Sequence, residues 1–75
     1  MKRLDLHRVR HEDARRMVIH FIEDNWNSGE EGEIVTGNSL LMKAQVRDVL
    51  LEYGLKCTEG REFDWNKGYI VTWFE

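Results

Sequence analysis

The apolar positions change period early in the chain. From Lys2 to His7 they alternate, with Leu4 and Leu6 on one side and Asp5 and His7 on the other, as in a strand with one buried face. From Glu12 to Trp26 the residues Ala14, Met17, Val18, Phe21, Ile22 and Trp26 recur at helical spacing, while Arg15, Arg16, Glu23 and Asp24 fall away from them. This predicts an amphipathic helix. No Ser, Thr, Asp or Asn stands just before Glu12 to cap it, but Glu12 and Asp13 suit the positive end of its dipole. Asn27-Ser28-Gly29 and Glu30-Glu31-Gly32 then read as a solvated turn, and Glu33 to Gly37 as a short second strand, which makes a right-handed βαβ unit.

A second helix follows, capped by Asn38 or Ser39, with Met42, Val46, Val49, Leu50 and Tyr53 on one stripe and Gly54 as a left-handed stop. The remainder holds two β-prone stretches, Lys56 to Phe63 and Tyr69 to Phe74. Asn66-Lys67-Gly68 between them predicts a hairpin turn. The order β-α-β-α-β-β, with two helices to cover the strands, implies two layers and one sheet face left partly open.

Composition narrows the class. Seventy-five residues allow one domain with one core, residues 1–75, and 41% apolar content with three Trp and three Phe is enough to fill it. Cys57 is the single cysteine, so neither an internal disulfide nor a Cys-based zinc site can form, and a reducing, cytoplasmic setting is expected. The longest apolar run, Val18 to Ile22 with His20 inside it, is too short to span a bilayer, so no membrane association is expected. A net charge of −3 argues against indiscriminate coating of nucleic acid. Its distribution is uneven: residues 1–20 carry six cations and three anions, and the rest carry five cations and eleven anions. That pattern suits a local anion-binding face on an acidic body, and equally an ordinary mixed surface.

Four short motifs in order resemble the Smr (small MutS-related) domain family. Leu4-Asp5-Leu6-His7 matches its LDLH opening, and Ile34-Val35-Thr36-Gly37 its second strand and turn. Met42-Lys43 with Val46-Arg47 is similar to its amphipathic second helix, and Gly68-Tyr69-Ile70-Val71 to its last strand. The resemblance implies an α/β fold of the α+β two-layer sandwich type, with a four-stranded mixed sheet and both helices on one face, as in the carboxy-terminal domain of bacterial translation initiation factor three. It also implies binding of DNA or RNA, with nicking endonuclease activity. Two positions depart from the family pattern and bear on the cleavage chemistry: Arg8 stands where the family has glycine after LDLH, and Ser39 where the second motif continues Gly-x-Gly.

The residues themselves suggest an anion site where two parallel strands end. The free amide groups that open the second helix, Asn38 to Leu41, can hold a phosphate at the Thr36-Gly37-Asn38-Ser39 turn, with Arg8, Arg10 and Lys43 supplying charge. For cleavage, His7 is the candidate proton-transfer group, and Asp5 would orient it or help bind a metal. An alternative role for both is structural, with Asp5 bonding a loop amide and His7 packing at the strand-to-helix corner. A divalent cofactor is compatible with this chemistry, but no clear ligand set is present: His7 and His11 have zinc-like spacing, yet one ends a strand and the other starts a helix. His20 reads as a solvated residue of the first helix, and Cys57 as a small core filler.

The final strand places Tyr69, Val71 and Trp73 on one face, where two of them would form a stacking platform if that face lies away from the helices. Trp65 in the turn is the stronger candidate for an exposed aromatic contact, and folding back onto the sheet is equally open to it. The competing functional class is a protein interaction module or homodimer using the open sheet face, without catalysis.

Overall fold

The computed structural model describes residues 1–75. Its elements run β1 (Lys2–Asp5), α1 (His11–Asp24), β2 (Glu31–Val35), α2 (Leu40–Glu52), β3 (Cys57–Glu59) and β4 (Tyr69–Trp73). They form one mixed four-stranded sheet in the order β1-β2-β4-β3. β1 and β2 are parallel, and β4 is antiparallel to both its neighbours. The helices pack on each other over one face of this sheet, giving two layers. No helix is long and apolar enough to cross a membrane.

Register decides which side chains meet the helices. Leu4, Ile34 and Ile70 align across three strands and face inward. With Leu6, Ala14, Val18, Ile22, Val46, Val49, Leu50 and Phe74 they make the core, which leaves almost no water-accessible surface on any of these except the partly buried Leu4. The opposite face carries Arg3, Glu33 and Val71 in one row and Asp5, Val35 and Tyr69 in the next. Val71 is nonetheless buried. The Gly60–Gly68 connection crosses this face, and the Arg61 guanidinium grips both carboxylate oxygens of Glu31 at 2.9 and 3.0 Å and stands 3.6 Å from Glu33. A loop therefore supplies the cover that a third layer would otherwise give.

Several boundaries differ from the sequence expectation for identifiable reasons. β1 stops at Asp5, two residues early, because the Asp5 carboxylate takes the His7 amide out of the ladder. α1 starts at His11 with no side-chain cap and ends before Trp26, where the Asn25 side chain donates back to the Phe21 carbonyl and Asn27 turns left-handed. β2 begins at Glu31, so Glu31 and Gly32 belong to the sheet and the turn is only Asn27–Gly29. Gly32 suits that strand because it faces the Phe74 ring, which leaves no room for a side chain.

Ser39 is the cap of α2, accepting from the Met42 amide at 3.1 Å. At the other end, Gly54 has a φ of +72°. Its N–H donates to Leu51, and that of Leu55 to Leu50, the paired bonds of a Schellman stop sealed by the buried Leu55 side chain. β3 is only three residues long rather than running to Phe63. Gly60, at a φ of +66°, turns the chain off the ladder and replaces the expected tight hairpin with the crossing loop.

Cation partners hold three carboxylates below the ordinary range: Arg61 acts on Glu31, Arg15 on Glu52 and Lys43 on Glu59. A carboxylate lowered by folding stabilises the protein above its unfolded pKa, and that contribution disappears as pH falls through the lowered value. Thermal stability is expected to hold from neutrality to about pH 5 and to decline below about pH 4. Circular dichroism melts across this range check it. Glu52→Gln, which removes the α1–α2 bridge made by Arg15 at 2.7 and 2.8 Å, should make the acid decline shallower.

Candidate functional site at the carboxyl ends of the parallel strands

The parallel pairing of β1 and β2 brings their exits to one edge. Leu6 stays tied to that edge through its N–H to the Val35 carbonyl at 2.8 Å, and its side chain is buried. The chain then turns sharply. The His7 N–H donates to the Asp5 carboxylate at 2.8 Å, Arg8 takes a left-handed φ of 70°, and the Val9 N–H returns to the Leu6 carbonyl.

At the end of β2, the Thr36 and Gly37 amides both donate to the Gly68 carbonyl at 2.9 Å. This fixes the second turn against the β3–β4 loop. Gly37 has a φ of +68°, and the position of its missing Cβ lies 3.8 Å from the His7 ring. The imidazole, the glycine turn and the start of α2 thus adjoin one another. Helix geometry leaves the first-turn amides of α2 at Leu40 and Leu41 without intrahelical acceptors at the same edge.

These elements border a cleft of about 510 Å³ whose walls include Arg3, His7, Gly37, Asn38, Asp64 and Asn66. Its charges are mixed, with Arg3 standing 3.9 Å from Glu33. The Tyr69 hydroxyl donates to the Asp64 carboxylate, which, with burial, raises the phenol above its usual range.

Of the residues singled out from sequence, His7, Gly37 and Asn38 line the cleft. Thr36 lies directly behind it, buried, its hydroxyl donating to the Gly37 carbonyl. The Ser39 hydroxyl is committed to its cap. Asp5 acts on the main chain of His7, so it positions the residue through its backbone and makes no bond to the imidazole. Arg8 and Arg10 are exposed and neither lines the cleft, with Arg10 3.4 Å from Glu12. Lys43 does not join them: it is buried on the helix side of the sheet, with its Nζ 2.7 Å from Glu59.

Arg3, Asp64 and Asn66 were not apparent as site residues. Arg3 shares the period-two face of Asp5 and was therefore open to detection. Asp64 and Asn66 reach the site only because β4 lies between β2 and β3, which no local pattern discloses. No group of three or more His, Cys, Asp or Glu side chains is arranged to hold a metal ion. His20 is exposed, and Cys57 packs at the core margin with its thiol pushed up by burial.

Arg8 provides a direct test of the first turn. A left-handed residue with a Cβ costs roughly 1 kcal/mol relative to glycine. Arg8→Gly is expected to raise the melting temperature by about 4–8 °C, the shift that ~1 kcal/mol gives in a domain of this size. A drop on differential scanning calorimetry would show that the arginine side chain contributes more than its backbone costs. Comparison of the chain with protein-family models, with curated proteins and with solved structures gives no match.

Proposed function

We propose that this chain is a small nucleic-acid-binding domain of Smr type that takes a backbone phosphate at the carboxyl edge of β1 and β2. The observation carrying this reading is the meeting of the His7 imidazole, the left-handed Gly37 turn and the start of α2 beside one cleft. A phosphate there would accept from backbone amides and from Asn38, with Arg3 and Arg8 adding charge from the rim. The four motifs that resemble Smr domains supply the polymer class, DNA or RNA. Their departure at Arg8 is milder than it looks in sequence, because the arginine adopts the conformation that glycine would take.

The same reading extends to nicking. His7 would accept a proton from the attacking oxygen and return one to the leaving oxygen of the cleaved phosphodiester, while Asp5 fixes where the imidazole stands.

Fluorescence anisotropy with labelled oligonucleotides tests binding, and relaxation of supercoiled DNA and cleavage of single-stranded RNA, with and without a divalent metal, test cleavage. Affinity is expected to fall with salt with a log–log slope of about −2, as two or three phosphate contacts give. His7→Ala should abolish cleavage while retaining most binding. Cleavage unchanged in that variant removes His7 from the mechanism, and association that is indifferent to salt removes the phosphate site.

A second reading, docking of a protein or a second copy, draws on Leu40 and Leu41, exposed in the first turn of α2. It does not draw on the sheet face, where Tyr69 and Trp73 are half-buried and Arg61 lies across the carboxylates. Salt-insensitive self-association would select it.

A further inference from the structure

We infer that the β3–β4 loop is a stacking platform for unpaired bases, so that the nucleic acid held at the cleft is single-stranded there. This rests on the phosphate-site reading above and adds the substrate class to it.

The loop is held in place at several points. The Arg61 guanidinium is clamped on Glu31, and the Arg61 backbone N–H donates to the Tyr69 hydroxyl oxygen at 3.1 Å. The Asp64 carboxylate accepts the hydrogen bond from the Tyr69 hydroxyl, and the Asp64 N–H donates to the Arg61 carbonyl at 3.1 Å. Asn66 Oδ1 accepts from the Gly68 amide at 3.1 Å, and the Gly68 carbonyl is bound by Thr36 and Gly37. Asp64 and Asn66 thereby line the cleft. The residues alternating with them, Phe63 and Trp65, are left outside at 89% and 102% of full exposure. No other large apolar side chain of the protein is so bare. The fold spends several hydrogen bonds on a loop whose two rings touch no core.

The chemistry around the rings selects the ligand. They are interrupted by Glu62, Asp64, Asn66 and Lys67, so they do not form the continuous apolar patch, on the order of 800 Å² per partner, that a stable protein interface buries. Leu40 and Leu41 do not extend them, because they belong to the helical layer on the other side of the sheet. Stacking needs only one ring face per base and tolerates any sequence. On the cleft wall, the Asn66 Nδ2 and the Asn38 side chain have no protein partners and can meet base edges. Paired bases offer neither their faces nor their Watson–Crick edges.

The test compares the wild type, Trp65→Ala, Trp65→Phe and Phe63→Ala on fluorescein-labelled single strands of DNA and RNA and on duplexes of the same length, by anisotropy. Single strands are expected to bind at least tenfold more tightly than duplex. Trp65→Ala should weaken single-strand binding roughly tenfold, the effect of one lost stack, and leave duplex binding unchanged. Trp65→Phe should keep most of the affinity. Melting temperatures should not move, since neither ring packs on anything.

Equal affinity for both forms, unaffected by Trp65→Ala, overturns the platform while leaving the phosphate site standing. Self-association in sedimentation that depends on Trp65, without strand preference, overturns it in favour of a protein surface. Absence of binding to any oligonucleotide removes the underlying reading and the platform with it.

Discussion

Gly32→Val is expected to leave little folded protein at 37 °C. A Cβ at this position would lie 2.5 Å from Phe74 Cε2, 3.0 Å from its Cζ and 3.2 Å from Phe21 Cε2. An exposed side chain would swing aside. Phe74 cannot, because it is wholly buried and fixed edge-on against Phe21 with ring centroids 5.5 Å apart. Overpacking a core by a methylene or two costs about 1–3 kcal/mol, and valine adds three carbons. A chain of this length has about 4–11 kcal/mol in total. The urea midpoint should fall by about 2 M or more, or the cooperative transition should disappear. Gly32→Ala should be milder, and Phe74→Leu in the alanine background should recover part of the loss. A valine variant with the parental midpoint would mean that the ring is free to move.

Leu6→Ala is expected to cost about 2–4 kcal/mol, while His7→Ala beside it should stay within about 0.5 kcal/mol. The contrast follows from burial: Leu6 is 1% exposed within the core cluster, whereas His7 is exposed. The leucine side chain is also the peg that seats the first turn of the site on the core, beside the backbone bond from its N–H to the Val35 carbonyl that the substitution leaves in place. Loss of the peg should therefore affect ligand affinity as well as stability, although Leu6 does not line the cleft. Parallel urea titrations and anisotropy on both variants would check this. Similar destabilisation by the two substitutions would contradict the inward direction of Leu6.

What was legible in the sequence was mostly what neighbouring residues decide. The stripe from Met42 to Leu50 and the Gly54 stop defined α2 almost to the residue, because period, cap and termination agree there. The alternation of Leu4 and Leu6 placed His7 outward correctly, but the strand end was missed, because one carboxylate captures an amide that the ladder would have used. The shift in β2 has a similar origin. Gly32 looks like turn punctuation in isolation and becomes a strand residue only because Phe74, over forty positions later, needs the space. Lys43 looks available for phosphate for the same reason: its partner Glu59 lies on β3, and only the packing of α2 against that strand brings them together. Trp65 is fully exposed, which decides between the two fates its sequence leaves open, an outward contact and a fold back onto the sheet.

The position of β4 has a consequence for how the molecule is made. β4 follows β3 in the chain yet is inserted between β2 and β3, so until it emerges from the ribosome β3 has no neighbour and the sheet is only a parallel pair. Folding of the sheet as a unit must wait for Tyr69–Trp73, and the emerging chain exposes the inner faces of both helices throughout that interval. Nascent chains arrested before Tyr69 should accordingly be protease-sensitive along their whole length, with protection acquired in a single step once Trp73 and Phe74 have cleared the exit tunnel.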